Sequence, residues 1–185
     1  FYDMSNNNTI IKDNYIKIDP NVEITEESFN THKISREFLD INGKHIIPTL
    51  NEFNKYLKLC DIVVGHNISF DKRMIFVESL RNNVQQNFTT YENNKKKTKN
   101  EYCTMKNTTR FCNIIALTRT NKTYVKQPKL IELYSMLFPE TPIPKELHNS
   151  LVDILCTLRC YIKYVYNSDI AKTNEKIYEL FLKLK

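Results

Sequence analysis

Ile62-Val63-Val64-Gly65-His66-Asn67-Ile68-Ser69-Phe70-Asp71 is the stretch on which the fold turns. Asp61 to Gly65 reads as a short strand, apolar on both faces, which suits a central position in a sheet covered by helices. A helix is expected next, over Ser69 to Asn82, with Ser69 as its N-cap and Met74, Ile75, Val77 and Leu80 available for packing. Later in the chain, His148-Asn149-Ser150-Leu151-Val152-Asp153 heads the longest amphipathic segment, Ser150 to Tyr166. Each stretch sets an aspartate in the first turn of an expected helix, and the second carries a histidine upstream of its aspartate.

Each residue has a plain reading when taken alone. A carboxylate in a helix first turn favours the macrodipole by ~0.3–1 kcal/mol, which would account for Asp71. Ser150-Leu151-Val152-Asp153 resembles a capping box. Phe70 alone is a core residue, and His66 after a buried strand is a hydrogen-bonded structural histidine. The combination points elsewhere. On an ideal helix, side chains five residues apart diverge by about 140°. If the helix begins at Ser150, His148 lies on the preceding loop and can turn toward the site that Asp153 faces. Hydrolysis assisted by two hard cations needs carboxylates to hold the ions and a mobile base beside the attacking water.

Working outward, Thr9 to Ile18 alternates and forms a β-hairpin with Phe1 to Met4. Thr25 to Thr31 is a short helix, and Pro48 to Cys60 an amphipathic one with Leu50, Phe53 and Leu57 on one face. Residues 83–100 are polar, Asn-rich and basic, and read as a flexible surface loop. Cys103 to Ile115 reads as a strand end and a helix, Asn121 to Gln127 as a loop, and Pro128 to Phe138 as a helix. A terminal helix is expected over 173–185. Strands lead and helices follow, so the class is α/β or α+β on one mixed sheet.

The chain is 185 residues long, the size of a single domain. No apolar run approaches the ~20 residues that span a bilayer, so no membrane partner is expected. The first residues, Phe1 to Asn6, have neither the basic nor the apolar part of a signal peptide. Five scattered cysteines, with no CxxC pair, fit reduced buried thiols and an intracellular protein of cytoplasm or nucleus. A net charge of +6 and a pI near 9.0 suit a polyanionic partner. Lys95, Lys96, Lys97 and Lys99 form one basic cluster, which by itself is a solvated loop. Abundant Asn, Lys and Ile with only two glycines point to an AT-rich genome, viral or microbial.

The two aspartate motifs together resemble the DEDDh exonucleases, the DnaQ-like branch that includes the proofreading subunit of bacterial DNA polymerase III. The likeness covers about residues 1–166. Asp13 to Pro20 is similar to one of that family's early strands, and Ser28 to Ser35 to its Ala/Ser-x-x-x-His-Gly-Ile-Thr element, with Lys33 in place of the glycine. Cys103-Thr104-Met105-Lys106, Pro128-Lys129-Leu130 and Leu133-Tyr134 also recur in relatives at this spacing. The resemblance implies an α/β ribonuclease H-like fold with a central mixed sheet flanked by helices. It implies a 3′-5′ exonuclease that acts on DNA or RNA ends with two Mg²⁺ or Mn²⁺ ions, alone or with a polymerase or repair complex. Asp71 and Asp153 would be metal ligands and His148 the general base. His32, Ile34 and Ser35 would line the nucleotide pocket, while His66, Asn67 and Phe70 would flank the terminal nucleotide or brace Asp71.

The family's first motif, Asp-x-Glu on its first strand, has no match here, since Ser5 stands two residues after Asp3. The reading is an N-terminally truncated single domain over 1–185, short of two carboxylates and therefore weak in Mg²⁺ binding and hydrolysis. The alternative is a non-catalytic nucleic-acid-binding or scaffold domain on the same fold.

Overall fold

The computed structural model describes residues 1–144 and 149–183. In chain order the first half holds strands β1 (Tyr2–Asp3) and β2 (Asn8–Thr9), helices α1 (Glu26–His32), α2 (Arg36–Asn42) and α3 (Ile46–Leu59), strand β3 (Ile62–Gly65), helix α4 (Ile68–Arg81), and strands β4 (Thr89–Glu92) and β5 (Lys95–Thr98). The second half holds β6 (Asn100–Cys103), α5 (Thr104–Asn107), α6 (Thr109–Cys112), β7 (Ile114–Leu117), β8 (Thr123–Lys126), α7 (Leu130–Leu137), α8 (Ser150–Tyr166), α9 (Ile170–Thr173) and α10 (Glu175–Lys183). The mixed α/β class expected from the sequence is found. The sheet differs. Among the described residues the strands pair two by two, β3 with β6 in parallel and the other three pairs antiparallel, with no single central sheet. Of Thr9 to Ile18, expected to alternate as a strand, Thr9 pairs in β2 and the rest makes one isolated bridge, from Ile16 to Lys44.

The chain divides into two compact units, one of Phe1–Asp61 with Lys72–Lys99, the other of Ile62–Asp71 with Asn100–Lys185. In the first unit, α1 starts where the Thr25 hydroxyl accepts from the Ser28 N–H, and α2 where the Ser35 hydroxyl accepts from the Phe38 N–H. Leu39, Leu50, Leu57 and Phe88 are buried in this unit. Residues 89–98, which composition alone presents as loop, form the β4–β5 hairpin. Its tip is Asn93-Asn94, both in the left-handed region (φ 49° and 61°), as a two-residue type I′ turn requires.

In the second unit, α8 packs against α7, β3 and α9. Leu133, Tyr134, Val152, Leu155, Cys156, Cys160, Ile170 and Ile177 form its buried core. Helix α8 has the bounds expected from periodicity, Ser150–Tyr166. Asn149 caps it by accepting from the Leu151 N–H, and Asn167 ends it in the left-handed region. The expected loop at 121–127 is instead strand β8, paired with β7. The terminal helix expected over 173–185 is α10, Glu175–Lys183, set off from the short α9 by Asn174, whose side chain accepts from the Ile177 N–H. Residues 184 and 185 lie outside the described residues.

With only two glycines in the chain, asparagine takes over their conformational work. Eight of the nine non-glycine residues with positive φ among the described residues are Asn, the short polar side chain that best tolerates that region. The five cysteines are free thiols, and burial pushes that of Cys156 up to about 12, so it is unreactive at neutral pH. No helix of the described residues is long and apolar enough to cross a membrane.

Candidate active site

The site is built at the end of β3, in the second unit. Gly65 closes the strand. A Cβ there would lie 2.9 Å from the Cβ of Ile68, so only glycine lets the chain turn this tightly into α4. Asn67 makes the turn in the left-handed region (φ 67°), and its carbonyl accepts from the Phe70 N–H at 2.8 Å. Ile68, not Ser69, is the first residue of α4 and is buried, while Phe70 is 53% exposed.

His66 is held from both sides. Its Nε2 lies 3.0 Å from the Pro128 carbonyl and its Nδ1 2.9 Å from the Thr104 hydroxyl. A carbonyl only accepts, so Nε2 carries the proton and Nδ1 accepts from Thr104. The Thr104 hydroxyl also lies 3.3 Å from the Gly65 carbonyl, so its one proton is shared between two acceptors. Burial holds the imidazole below its ordinary pKa, against the pull of the Pro128 hydrogen bond and the Asp153 carboxylate. His66 is therefore a neutral clamp joining β3, the start of α5 and the entry to α7. The two partners lie in Cys103-Thr104 and Pro128-Lys129, stretches that belong to the family resemblance.

Replacing this clamp has a measurable cost. His66→Ala leaves the fully buried Pro128 without its ring N–H donor. An unsatisfied buried acceptor costs about 1–3 kcal/mol, so Tm should fall by roughly 3–10 °C in a chain of this size. Because the folded pKa lies below the unfolded value of 6.5, the unfolded chain binds more protons in that interval. Wild-type stability should therefore rise with pH up to about 6.5 and level off. Thermal melts of His66→Ala should lack that rise, and an unchanged pH profile would count against the clamp.

The two aspartates sit alike. Asp71 is the fourth residue of α4 and Asp153 the fourth of α8, and each helix opens just after an Asn preceded by His. Because Asn149 is the cap of α8, Asp153 stands one position past the capping-box position, which Val152 occupies. The capping explanation therefore does not account for Asp153. Asp71 reaches solvent, but the protein around its carboxyl raises its pKa through partial burial, opposed by a backbone hydrogen bond. Both aspartates and His66 belong to one compact unit, and α8 packs directly on β3. His148 lies outside the described residues.

His32, Ile34 and Ser35 belong to the other unit. His32 Nδ1 accepts from the Ile34 N–H at 3.0 Å, and the Ser35 hydroxyl is engaged in capping α2. Lys33, which replaces the glycine of relatives, adopts the left-handed conformation (φ 57°) that a glycine would favour.

The sequence profile of the exonuclease family (RNase_T) matches residues 3–161, a span that includes both aspartate motifs. This chain belongs to the exonuclease family. Neither the curated proteins nor the solved structures give a match. Membership in this exonuclease family supports nuclease chemistry and raises the question of a metal. The donors are of the right type, since Mg²⁺ and Mn²⁺ take hard carboxylate oxygens. They are few, because among the described residues no three His, Cys, Asp or Glu side chains gather as a metal-holding group.

Proposed function

We propose that the protein is a 3′-5′ exonuclease of the DnaQ-like DEDDh branch, hydrolysing phosphodiester bonds at DNA or RNA 3′ ends. The observation that carries this is the pair of helices α4 and α8, each opening His-Asn-x-x-x-Asp and each belonging at its start to the unit built on β3. Asp71 and Asp153 would hold Mg²⁺ or Mn²⁺, and such an ion would supply positive charge to the phosphodiester under attack. His148 takes the proton of the attacking water. Asn67 shapes the turn that places Asp71, and exposed Phe70 offers a ring against which a terminal base can stack. His66 acts through position, keeping the strand end and Asp71 in place.

Direction and metal dependence are read with one oligonucleotide carrying a label at its 5′ end. With Mn²⁺ or Mg²⁺, slow shortening of the labelled product one nucleotide at a time is expected, weak because only two carboxylates are present, and stopped by EDTA and by Asp71→Asn. Immediate release of the labelled end as a mononucleotide would show the opposite polarity and overturn the proposal. Binding without cleavage under any divalent ion would favour the second reading, a nucleic-acid-binding or scaffold domain of this fold.

A further inference from the structure

The β4–β5 hairpin has no task in the site just described, and its surface is unusual. Every residue of β5, Lys95 to Thr98, is exposed. Three consecutive lysines, Lys95, Lys96 and Lys97, are matched on the hairpin by one acid, Glu92. Glu92 reaches Lys97 at 3.3 Å, with both side chains about two-thirds exposed, so this ion pair is weak. Tyr91 stands directly opposite Lys96 on the same face and is 72% exposed. Lysines alone would be explained as guards that keep a strand edge from pairing with other chains. An aromatic ring left in water at their side is not explained that way.

The stem, by contrast, is firmly fixed within its unit. Phe88, just before β4, is 3% exposed and packs on Phe53, and the Lys72 ammonium lies over its ring. Lys99, just after β5, sends its ammonium to the carbonyls of Lys58 and Cys60 at the C-terminal end of α3, at 2.9 and 2.8 Å. Cations are favoured at that end of a helix. Lys99 is therefore an anchor, and only the three lysines ahead of it are presented to a partner. The Asn93-Asn94 turn at the far end bears no apolar group. An anchored stem, a cationic blade and one exposed ring form an arm made to contact a polyanion that also carries flat rings.

We propose that the β4–β5 hairpin is a nucleic-acid-gripping arm on which one single strand wraps, with Lys96 on a phosphate beside the base that stacks on Tyr91 and with Lys95 and Lys97, on the opposite face of β5, on further phosphates of the same strand. This rests on the exonuclease reading for the nature of the partner, and it concerns binding away from the reacting phosphate. Two consequences separate the roles. Lysines that neutralise phosphates release counterions, so they set the salt dependence, about 0.7 of a logarithmic unit per contact on single strands. Ring stacking is insensitive to salt and is worth a factor of about five to a hundred or more per base.

The test is fluorescence anisotropy of labelled dT20 and rU20 with the protein in EDTA, so that no divalent-dependent cleavage intervenes. The variants are Lys95→Ala/Lys96→Ala/Lys97→Ala together, and Tyr91→Ala alone. Both sets of side chains are exposed, and unchanged thermal melts check that the fold is intact. The triple variant is expected to flatten the slope of log affinity against log salt by about 2 and to weaken binding at low salt at least tenfold. Tyr91→Ala is expected to weaken binding at every salt concentration without altering the slope. Wild-type affinity and slope in the triple variant would overturn the arm, as would failure of the wild type to bind either oligonucleotide. Phosphatidylserine vesicles are the competing polyanion, and binding to them that is equally sensitive to Tyr91→Ala would also overturn it. Cleavage in Mn²⁺ is scored separately. Intact oligonucleotide with arm-dependent binding removes the exonuclease reading and leaves the arm standing, whereas cleavage with arm-independent binding does the reverse.

Discussion

His148→Ala is expected to slow hydrolysis by about 10²- to 10⁴-fold, the usual contribution of a general base, while leaving divalent-ion affinity nearly as it was. Asp153→Asn should do something different, weakening the affinity for Mn²⁺ or Mg²⁺ as well as the rate. The contrast comes from their chemistry. An imidazole that takes a proton from water need not hold a cation, whereas a carboxylate oxygen in the ion's shell cannot be replaced by a neutral amide without loss of charge attraction. Single-turnover rates on a 3′-terminal oligonucleotide, measured across a titration of metal, separate the two effects. The His148-dependent rate should also rise with pH as the imidazole loses its proton and becomes able to act as a base. Wild-type turnover in His148→Ala would take this residue out of catalysis and overturn the proposed assignment to the histidine branch of the exonuclease family.

Asp169→Asn is expected to cost stability on a scale that few other single substitutions reach. Arg159 is 5% exposed and crosses from α8 to the start of α9. Its Nε and Nη2 donate to the two carboxylate oxygens of Asp169 at 2.8 and 2.7 Å. Nη1 donates to the Tyr134 hydroxyl, and burial pushes that phenol up to about 12, so it stays a neutral acceptor. The guanidinium also lies 4.1 Å from the centroid of Phe138 and 5.1 Å from that of Phe181. Removing the carboxylate strands a positive charge among aromatic rings, which costs about 3–5 kcal/mol and should lower Tm by roughly 10 °C or more. Asparagine keeps the cap on α9 that Asp169 provides through the Ala171 N–H, so the loss reports the charge. Arg159→Met combined with Asp169→Asn should recover most of it, because an apolar side chain needs no counter-ion. If the double variant melts no higher than the single one, the ion pair is not the source of the loss. Burial alone would raise the Asp169 carboxyl, but the Arg159 fork more than reverses this and holds it below its ordinary value of 3.8. Its stabilisation is thus present at neutral pH and lost as pH falls below 3.8 through the folded pKa.

Much of this was legible in the chain itself. The 3.6-residue periodicity of Ser150 to Tyr166 is long and unbroken, so sequence alone was enough to set the bounds of α8. The placing of Asp71 and Asp153 in helix first turns followed from local signals, Ser69 after the strand in one case and Ser150 in the other, although α4 starts at Ile68 and Asn149 caps α8. The α/β class was likewise visible. What local signals left open was partnership. The polar run at 83–100 looks like loop because its side chains all suit water, yet paired asparagines at positive φ let Thr89 to Glu92 fold back on Lys95 to Thr98. The expected strand at Thr9 to Ile18 alternates well enough, but a strand needs a partner edge, and past Thr9 it finds one bridge.

By itself, the sequence determined which residues could do chemistry and which helices would carry them, because capping, periodicity and turn preference act within a few residues. Only the tertiary structure decided what His66 does. Its partners, Thr104 and Pro128, are 38 and 62 positions away, and a hydrogen bond across that distance leaves no mark on local composition. The same holds for Arg159, a charge that sequence places on an amphipathic helix and that only packing reveals as buried, paired and ringed by aromatics. Local propensity is set by neighbours in the chain, whereas burial and pairing are set by neighbours in space.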